Sequence, residues 1–178
     1  MRTLSFKEGE TLAFHFGYED YSEPLAEYNV LADGQLIPTA TSNTLIGVKR
    51  NNRWGWIDSE NNIILPFVFD SGFVICYDGI IILQKDGKWG GIYRNDLTTA
   101  FDFRYGYLSH MYHSTYMASQ TLGGLYALLR SGDVFLTDYK YQGFLENGHK
   151  RYVYYVRTNI FGMQVRGEID LETGRELS

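Results

Sequence analysis

Two histidines three residues apart, His110 and His113, have the side chains best suited to a metal or acid–base site, and Asp102 precedes them. Imidazole and carboxylate groups ligate zinc, and imidazole exchanges protons near neutral pH. In an extended strand, however, residues three apart point to opposite faces, so the two rings would not converge. No cysteine pair and no HExxH pattern accompanies them. The sequence therefore predicts no metal site and no cofactor, and it favours packing roles for both histidines.

Nucleophilic catalysis has a weak candidate in Cys76, the single cysteine of the chain. It lies in an apolar segment, residues 73–77, where a thiol stays protonated and behaves as a small hydrophobic group. Carboxylates fall mostly at predicted turns, where Asp suits the turn geometry. They are Asp58, Asp70, Asp78, Asp86, Asp96, Asp133 and Asp138. The glycine-rich stretches lack the GxxxxGK[ST] pattern of a phosphate loop. We therefore predict that the protein is not an enzyme.

The acidic residues near the N-terminus are the strongest candidates for binding. The net charge is −5, and residues 1–46 carry two basic against seven acidic side chains, whereas residues 47–178 carry 14 of each. Carboxylates interleaved with tyrosines can attract a basic protein and anchor it. We predict that the partner-binding residues are Tyr18, Glu19, Asp20, Tyr21, Glu23, Glu27 and Tyr28. The alternative is that this segment is a solvated acidic loop.

Nucleic-acid binding has one candidate segment, His149, Lys150 and Arg151 followed by Tyr152, Tyr154 and Tyr155. Aromatic rings beside basic groups can stack bases and hold phosphates. The chain has no basic excess to support such binding, since its net charge is −5. We therefore predict a protein partner and no nucleic-acid partner.

A repeated motif organises the elements that must carry these residues. Residues 53–58 read Arg-Trp-Gly-Trp-Ile-Asp, and residues 88–93, 35 positions later, read Lys-Trp-Gly-Gly-Ile-Tyr. Each copy follows a pair suited to a two-residue hairpin turn, Asn51-Asn52 or Asp86-Gly87. A glycine beside a large ring indicates close approach of neighbouring backbone or side chains. A spacing of 35 or 36 residues extends the series to Trp54, Trp89, Leu125 and Phe161.

These motifs resemble the WG-repeat family of bacterial proteins. Its unit reads as an apolar strand, an Asn/Asp-Gly turn, Lys-Trp-Gly-aromatic-Ile-Asp, a second turn and an apolar strand ending near Pro. The resemblance is good at Trp54-Gly55 and Trp89-Gly90, fair at Phe161-Gly162, poor at Leu125-Tyr126, and covers about residues 26–170. It implies tandem β-hairpins that serve as a scaffold and are not tied to one reaction.

Composition agrees with an all-β protein. The 178 residues include 44% apolar and 16% aromatic residues, 19 glycines and three prolines. We predict tandem antiparallel β-hairpin repeats of about 35 residues, either closed into a barrel or ring or stacked as a twisted array. Residues 1–178 form a single predicted domain, with an acidic N-terminal strand, loop and partial repeat in residues 1–46 and WG-like repeats in residues 47–178. The run from Ile80 to Leu83 predicts a strand buried on both faces.

Location follows from what the sequence lacks. No stretch approaches the ~20 apolar residues of a membrane span, and residues 1–8 do not resemble a signal peptide. A single cysteine suits a reducing compartment. We predict a cytoplasmic protein with no membrane partner.

These expectations favour a non-enzymatic protein-binding protein. The most concrete hypothesis is an immunity protein that neutralises a bacterial toxin, such as a basic nuclease, by occluding its active site with carboxylates in place of phosphates. The alternative is a free-standing scaffold that binds a peptide or glycan through exposed Trp54, Trp56 and Trp89. A third possibility, an enzyme assembled from distant loops, would be favoured by a ligand near His110 and His113.

Overall fold

The protein is described by a computed structural model over residues 17–21, 28–30, 36–38, 46–58, 60–75, 78–112, 114–146 and 151–177. These residues form 18 β-strands and no helix, and the strands pair in antiparallel fashion, so the all-β prediction is confirmed. Within them, no helix has the length and apolar character needed to cross a membrane. The chain forms two compact units, Met1–Gly72 and Phe73–Ser178. The single domain stays a prediction.

The first unit contains a four-stranded sheet and a separate hairpin. Its strands are β1 Asp20–Tyr21, β2 Tyr28–Val30, β3 Leu36–Pro38, β4 Ile46–Arg50, β5 Arg53–Ile57 and β6 Ile63–Phe69. The sheet order is β1-β4-β5-β6, and β2 pairs with β3. Asn51 and Asn52 join β4 to β5 with φ values of 51° and 59°, the positive range that a two-residue hairpin turn needs. The core of this unit is formed by Tyr18, Ile46, Val48 and Ile57, with Phe67 packed against it.

Most of the second unit consists of two antiparallel sheets. Its strands are β7 Ser71–Ile75, which begins in the first unit, β8 Ile80–Lys85, β9 Lys88–Tyr93, β10 Thr99–Tyr105, β11 Tyr107–His110, β12 Tyr116–Ser119, β13 Tyr126–Arg130, β14 Val134–Phe135, β15 Tyr141–Glu146, β16 Tyr152–Thr158, β17 Gln164–Asp170 and β18 Glu176–Leu177. One sheet has the order β10-β9-β8-β7, and the other runs β11-β12-β13-β15-β16-β17-β18, with β14 paired to β13. In the ranges described, each sheet has two edge strands and none closes into a barrel. The stacked array stays a prediction.

Hydrophobic packing explains the positions of these strands. Ile80, Ile81, Ile82 and Leu83 are all fully buried, which confirms the predicted strand with two buried faces. The turn between β13 and β14 covers the outer edge of β10. The amide of Gly132 donates to the carbonyl of Ala100 at 2.7 Å, so this edge is partly closed to further strand pairing.

The third repeat begins one residue later than the spacing predicted. Trp54 and Trp89 are half-buried and each precedes three buried residues in its strand; Tyr126 occupies the same position in β13. Their partners on the following strand are Phe69, Tyr105 and Tyr141. Leu125 lies before β13 and is exposed, so its assignment was wrong. The physical reason is the longer connection, residues 120–125, between β12 and β13.

The fourth repeat is also displaced from the predicted Phe161. Gly167 in β17 pairs with the preceding strand as Gly55 and Gly90 do. The motif continues as Glu168-Ile169-Asp170, which parallels Trp56-Ile57-Asp58. Phe161 lies in the turn of residues 159–163, because this turn has five residues where the first two repeats have two.

The glycine of the WG pair makes room for the following strand, as predicted. A Cβ on Gly55 would lie 2.9 Å from the carbonyl oxygen of Leu65 and 3.0 Å from the ring of Phe67. On Gly90 it would lie 2.9 Å from the carbonyl oxygen of Phe101. The glycine of the motif therefore serves strand packing in the first two repeats.

Candidate functional site

Two of the predicted partner-binding residues support the first sheet. Tyr18 is buried; its ring stacks on Phe67 with centroids 5.6 Å apart, and its hydroxyl donates to Asn61 Oδ1 at 2.8 Å. The Glu19 carboxylate accepts the amides of Asn51 and Asn52 at 2.8 and 3.2 Å. Glu19 thus holds the β4–β5 turn, and Tyr18 contributes its ring to the core.

The other predicted binding residues stay predictions. Asp20 and Tyr21 form β1 opposite Lys49 and Val48, and Tyr28 begins β2, but the structure describes only their backbone. Glu23 and Glu27 lie outside the described residues.

The candidates for chemistry are dispersed. His110 lies in β11 with its ring edge-on to Tyr116, centroids 5.2 Å apart, whereas His113 and Cys76 lie outside the described residues. Asp102 lies near Arg104, with 3.9 Å between carboxylate and guanidinium. Across the described ranges, no group of three His, Cys, Asp or Glu side chains could hold a metal ion.

The alternative hypothesis, a scaffold that binds a peptide or glycan, requires exposed Trp54, Trp56 and Trp89, and Trp56 does not meet this requirement. Trp56 is fully buried and packs edge-on to Phe69 at 5.8 Å, whereas Trp54 and Trp89 are half-buried. In the segment considered for nucleic acid, Arg151 pairs with Asp170 at 2.8 Å and Tyr155 is buried. His149 and Lys150 lie outside the described residues.

An exposed apolar surface occurs at the β16–β17 turn, residues 159–163, which we call the apolar turn. Ile160, Phe161 and Met163 are 93%, 78% and 60% exposed. The turn is well ordered by hydrogen bonds, because Asn159 Oδ1 accepts the amides of Phe161 and Met163 at 3.0 Å each. Gly162 adopts a positive φ of 77°, which suits the turn. Three large apolar side chains are therefore held in solvent by a defined backbone.

The β5–β6 turn of the first unit has the same hydrogen bonds with polar residues. Asp58 Oδ1 accepts the amides of Glu60 and Asn62 at 2.9 Å each, and Asn61 has the positive φ, at 66°. Burial raises the pKa of Asp58, but hydrogen bonds from Asn62 and Glu60 outweigh it, so the pKa is lowered overall. Since Glu60 and Asn62 occupy the positions of Phe161 and Met163, the geometry of the turn does not require apolar side chains. Sequence reasoning missed this surface because it assigned Phe161 to a strand.

A partly buried hydrogen-bond network around Glu176 links three strands of the second unit. Glu176 accepts the hydroxyls of Tyr141 and Tyr155 at 2.9 and 2.8 Å, and it pairs with Arg157 and Lys140 at 3.0 Å each. Burial alone would raise the pKa of Glu176, but hydrogen bonds from these four donors lower it to about 2. The carboxylate therefore stays ionised and ties β18 to β15 and β16.

A second surface feature is a cavity of about 400 Å³ lined by Arg104, Tyr105, Gln120, Phe135 and Tyr139, which we call the aromatic pocket. Arg104 pairs with Asp133 at 3.2 Å, and its guanidinium lies over the ring of Tyr105 at 5.4 Å. The Tyr105 hydroxyl donates to Asp133; burial, followed by this hydrogen bond, raises the pKa of Tyr105. The pocket thus combines aromatic rings with an ordered cluster of charges.

Comparisons with known proteins give one positive result. Neither the curated proteins nor the solved structures yielded a match to this chain. The family model described as WG containing repeat matches residues 54–89, from the tryptophan of β5 to the tryptophan of β9. Residues 54–89 of this chain are therefore similar to the WG containing repeat family.

Proposed function

We propose that this protein is a non-enzymatic protein-binding protein, most concretely an immunity protein that neutralises a bacterial toxin by covering its active site. The observation that carries the proposal is the apolar turn, in which Ile160, Phe161 and Met163 are 93%, 78% and 60% exposed. Large apolar side chains in solvent are typical of surfaces that another protein covers. The WG repeats supply a rigid scaffold that presents this turn.

The three side chains have the character of interface anchors. A phenylalanine that becomes fully buried at an interface contributes about 2 kcal/mol, which corresponds to roughly 30-fold in Kd. Because Asn159 already orders the backbone of the turn, little conformational entropy is lost when the partner binds. A partner would therefore gain most of its affinity from Phe161 and its two apolar neighbours.

Charge defines the kind of partner. Residues 1–46 hold seven acidic and two basic side chains, and the whole chain has a net charge of −5. Such a charge accelerates association with a basic protein at low salt. A nuclease that binds phosphates in a cationic cleft is a partner of this type, and protein carboxylates can occupy that cleft.

The first experiment is purification of the tagged protein from its native host, followed by mass spectrometry and salt titration of any complex. We expect a stoichiometric basic protein whose binding weakens as salt rises, and whose enzymatic or toxic activity disappears in the complex. Recovery of no protein partner, or of a partner whose activity is unchanged when bound, would refute the proposal and favour a scaffold for peptides or glycans.

Variants of the apolar turn test the contact directly. Phe161→Ser should weaken the complex roughly 30-fold, because it removes about 2 kcal/mol of apolar burial. The matched control is Glu60→Ser, at the corresponding position of the polar β5–β6 turn, and it should leave the affinity unchanged. Equal affinities for the two variants would contradict a role for the turn.

The acidic residues should be tested without disturbing the first sheet. We recommend changing Asp20, Glu23 and Glu27 to their amides and retaining Glu19, since its carboxylate holds the β4–β5 turn. The association rate should fall and its dependence on salt should become weaker. An unchanged rate would assign these residues to a solvated loop.

A further inference from the structure

We propose that the aromatic pocket receives a lysine or arginine side chain of the basic partner. The inference rests on the proposed function, because it takes the partner to be a basic protein. It adds a second contact surface, distinct from the apolar turn, and names the chemical group that this surface recognises.

The walls of the pocket suit a cation. Phe135 is 42% exposed and lies edge-on to Tyr139, with ring centroids 5.4 Å apart and planes at 62°. Aromatic faces attract ammonium and guanidinium groups, and their apolar surface also accepts the methylene stem of the side chain. The volume of about 400 Å³ is sufficient for one such side chain.

The charges beside the pocket favour the same ligand. Arg104 lies 3.2 Å from Asp133 and 3.9 Å from Asp102, so one guanidinium faces two carboxylates and the formal sum is −1. Asp133 also accepts the hydroxyl of Tyr105 and the amide of Asp102, whereas the Asp102 carboxylate is 65% exposed. Asp102 is therefore accessible to a cation from a partner.

An anionic ligand suits the same charges less well. The guanidinium of Arg104 is already engaged with Asp133 and stacked on Tyr105. A carboxylate or phosphate would compete with Asp133 for Arg104 and would meet the charge of Asp102. The positive charge of Arg104 therefore limits the affinity of the pocket for a cation.

The test uses small probes and needs no partner. N-acetyl-lysine methylamide and N-acetyl-arginine methylamide are titrated into the isotope-labelled full-length protein, and chemical shifts of Phe135, Tyr139 and Asp102 are followed. The neutral control is N-acetyl-norleucine methylamide, which has the apolar stem of lysine without the ammonium group. We expect saturable shifts with the two cationic probes and no saturable shift with norleucine.

Three variants separate the contributions to binding of the lysine probe: two should weaken it and one should tighten it. Phe135→Ala should weaken the lysine probe about fivefold, as expected for one cation–π contact, and Asp102→Asn should weaken it to a similar extent. Arg104→Gln should tighten it, because a like charge is removed from the site. The control Tyr154→Ala removes a different exposed aromatic side chain, 46% exposed in β16, and should have no effect.

Weaker binding of the lysine probe to Arg104→Gln would overturn the proposal, as would equal shifts with norleucine or the absence of any saturable shift. These results are independent of partner recovery. A failed purification refutes the proposed function and leaves the probe titration valid, whereas failed probes refute this inference and leave the apolar turn as the contact.

Discussion

Replacing Glu176 with glutamine should destabilise the C-terminal strands of the second unit. The carboxylate accepts hydrogen bonds from Tyr141 and Tyr155 and pairs with Lys140 and Arg157. Lowering its pKa from 4.5 to about 2 corresponds to about 3 kcal/mol of stabilisation. Since the side chain is 25% exposed, solvent screening reduces the expected loss to about 2 kcal/mol.

The pH dependence of this effect has a definite sign. The folded pKa of Glu176, about 2, lies below its ordinary value of 4.5, so ionised Glu176 stabilises the fold fully above about pH 5. As the pH falls from 4.5 towards 2, the carboxylate becomes protonated and its contribution is lost. The stability difference between wild type and Glu176→Gln should therefore shrink over this interval.

Amide hydrogen exchange of β16 to β18 is a suitable assay, because it reports the opening of these strands separately from the first unit. The matched control is Glu172→Gln, since Glu172 also pairs with an arginine, at 3.3 Å from Arg151, but its side chain is 67% exposed. The control should change the opening free energy by less than about 0.5 kcal/mol. Equal effects of the two variants, or a difference as large at pH 2.5 as at neutral pH, would refute the reasoning.

Two further predictions concern the repeat and the apolar turn. Gly55→Ala should lower the free energy of unfolding by about 1 to 3 kcal/mol, because the new Cβ would meet the Leu65 carbonyl at 2.9 Å. The control is Gly143→Ala, which should be nearly neutral because there is open space around Gly143. Urea denaturation measures both variants. Asn159→Ala should speed amide exchange of Phe161 and Met163 about five- to tenfold, since two hydrogen bonds to Asn159 Oδ1 are lost; unchanged exchange would mean that other contacts order the turn.

Local features were predictable from the sequence. The hairpins at Asn51-Asn52 and Asp86-Gly87 depend on residues that tolerate positive φ, and all four residues adopt it, at 51°, 59°, 50° and 73°. The buried strand β8 was predictable from its continuous apolar run. The WG motif was recognisable because it occurs twice with turns of equal length.

The third and fourth repeats were misplaced because their connections are longer. A fixed spacing selects Leu125 and Phe161 for the Trp position of the motif. Strand pairing instead places Tyr126 at the Trp position of the third repeat and Gly167 at the Gly position of the fourth. Turn length is a local variable, but register depends on which residues of two strands face each other across the sheet. The apolar turn was therefore mistaken for a strand position.

The sequence by itself determined the all-β class, the first two hairpins and the placement of acidic charge in residues 1–46. Only the tertiary structure decided that Tyr18 is buried, that Glu19 holds a turn 32 residues away, and that Glu176 meets Tyr141, 35 residues before it. The physical reason is the separation along the chain over which each kind of interaction acts. Turn and strand preferences act between neighbouring residues, whereas burial and hydrogen-bond partners are set by packing between segments far apart in the chain.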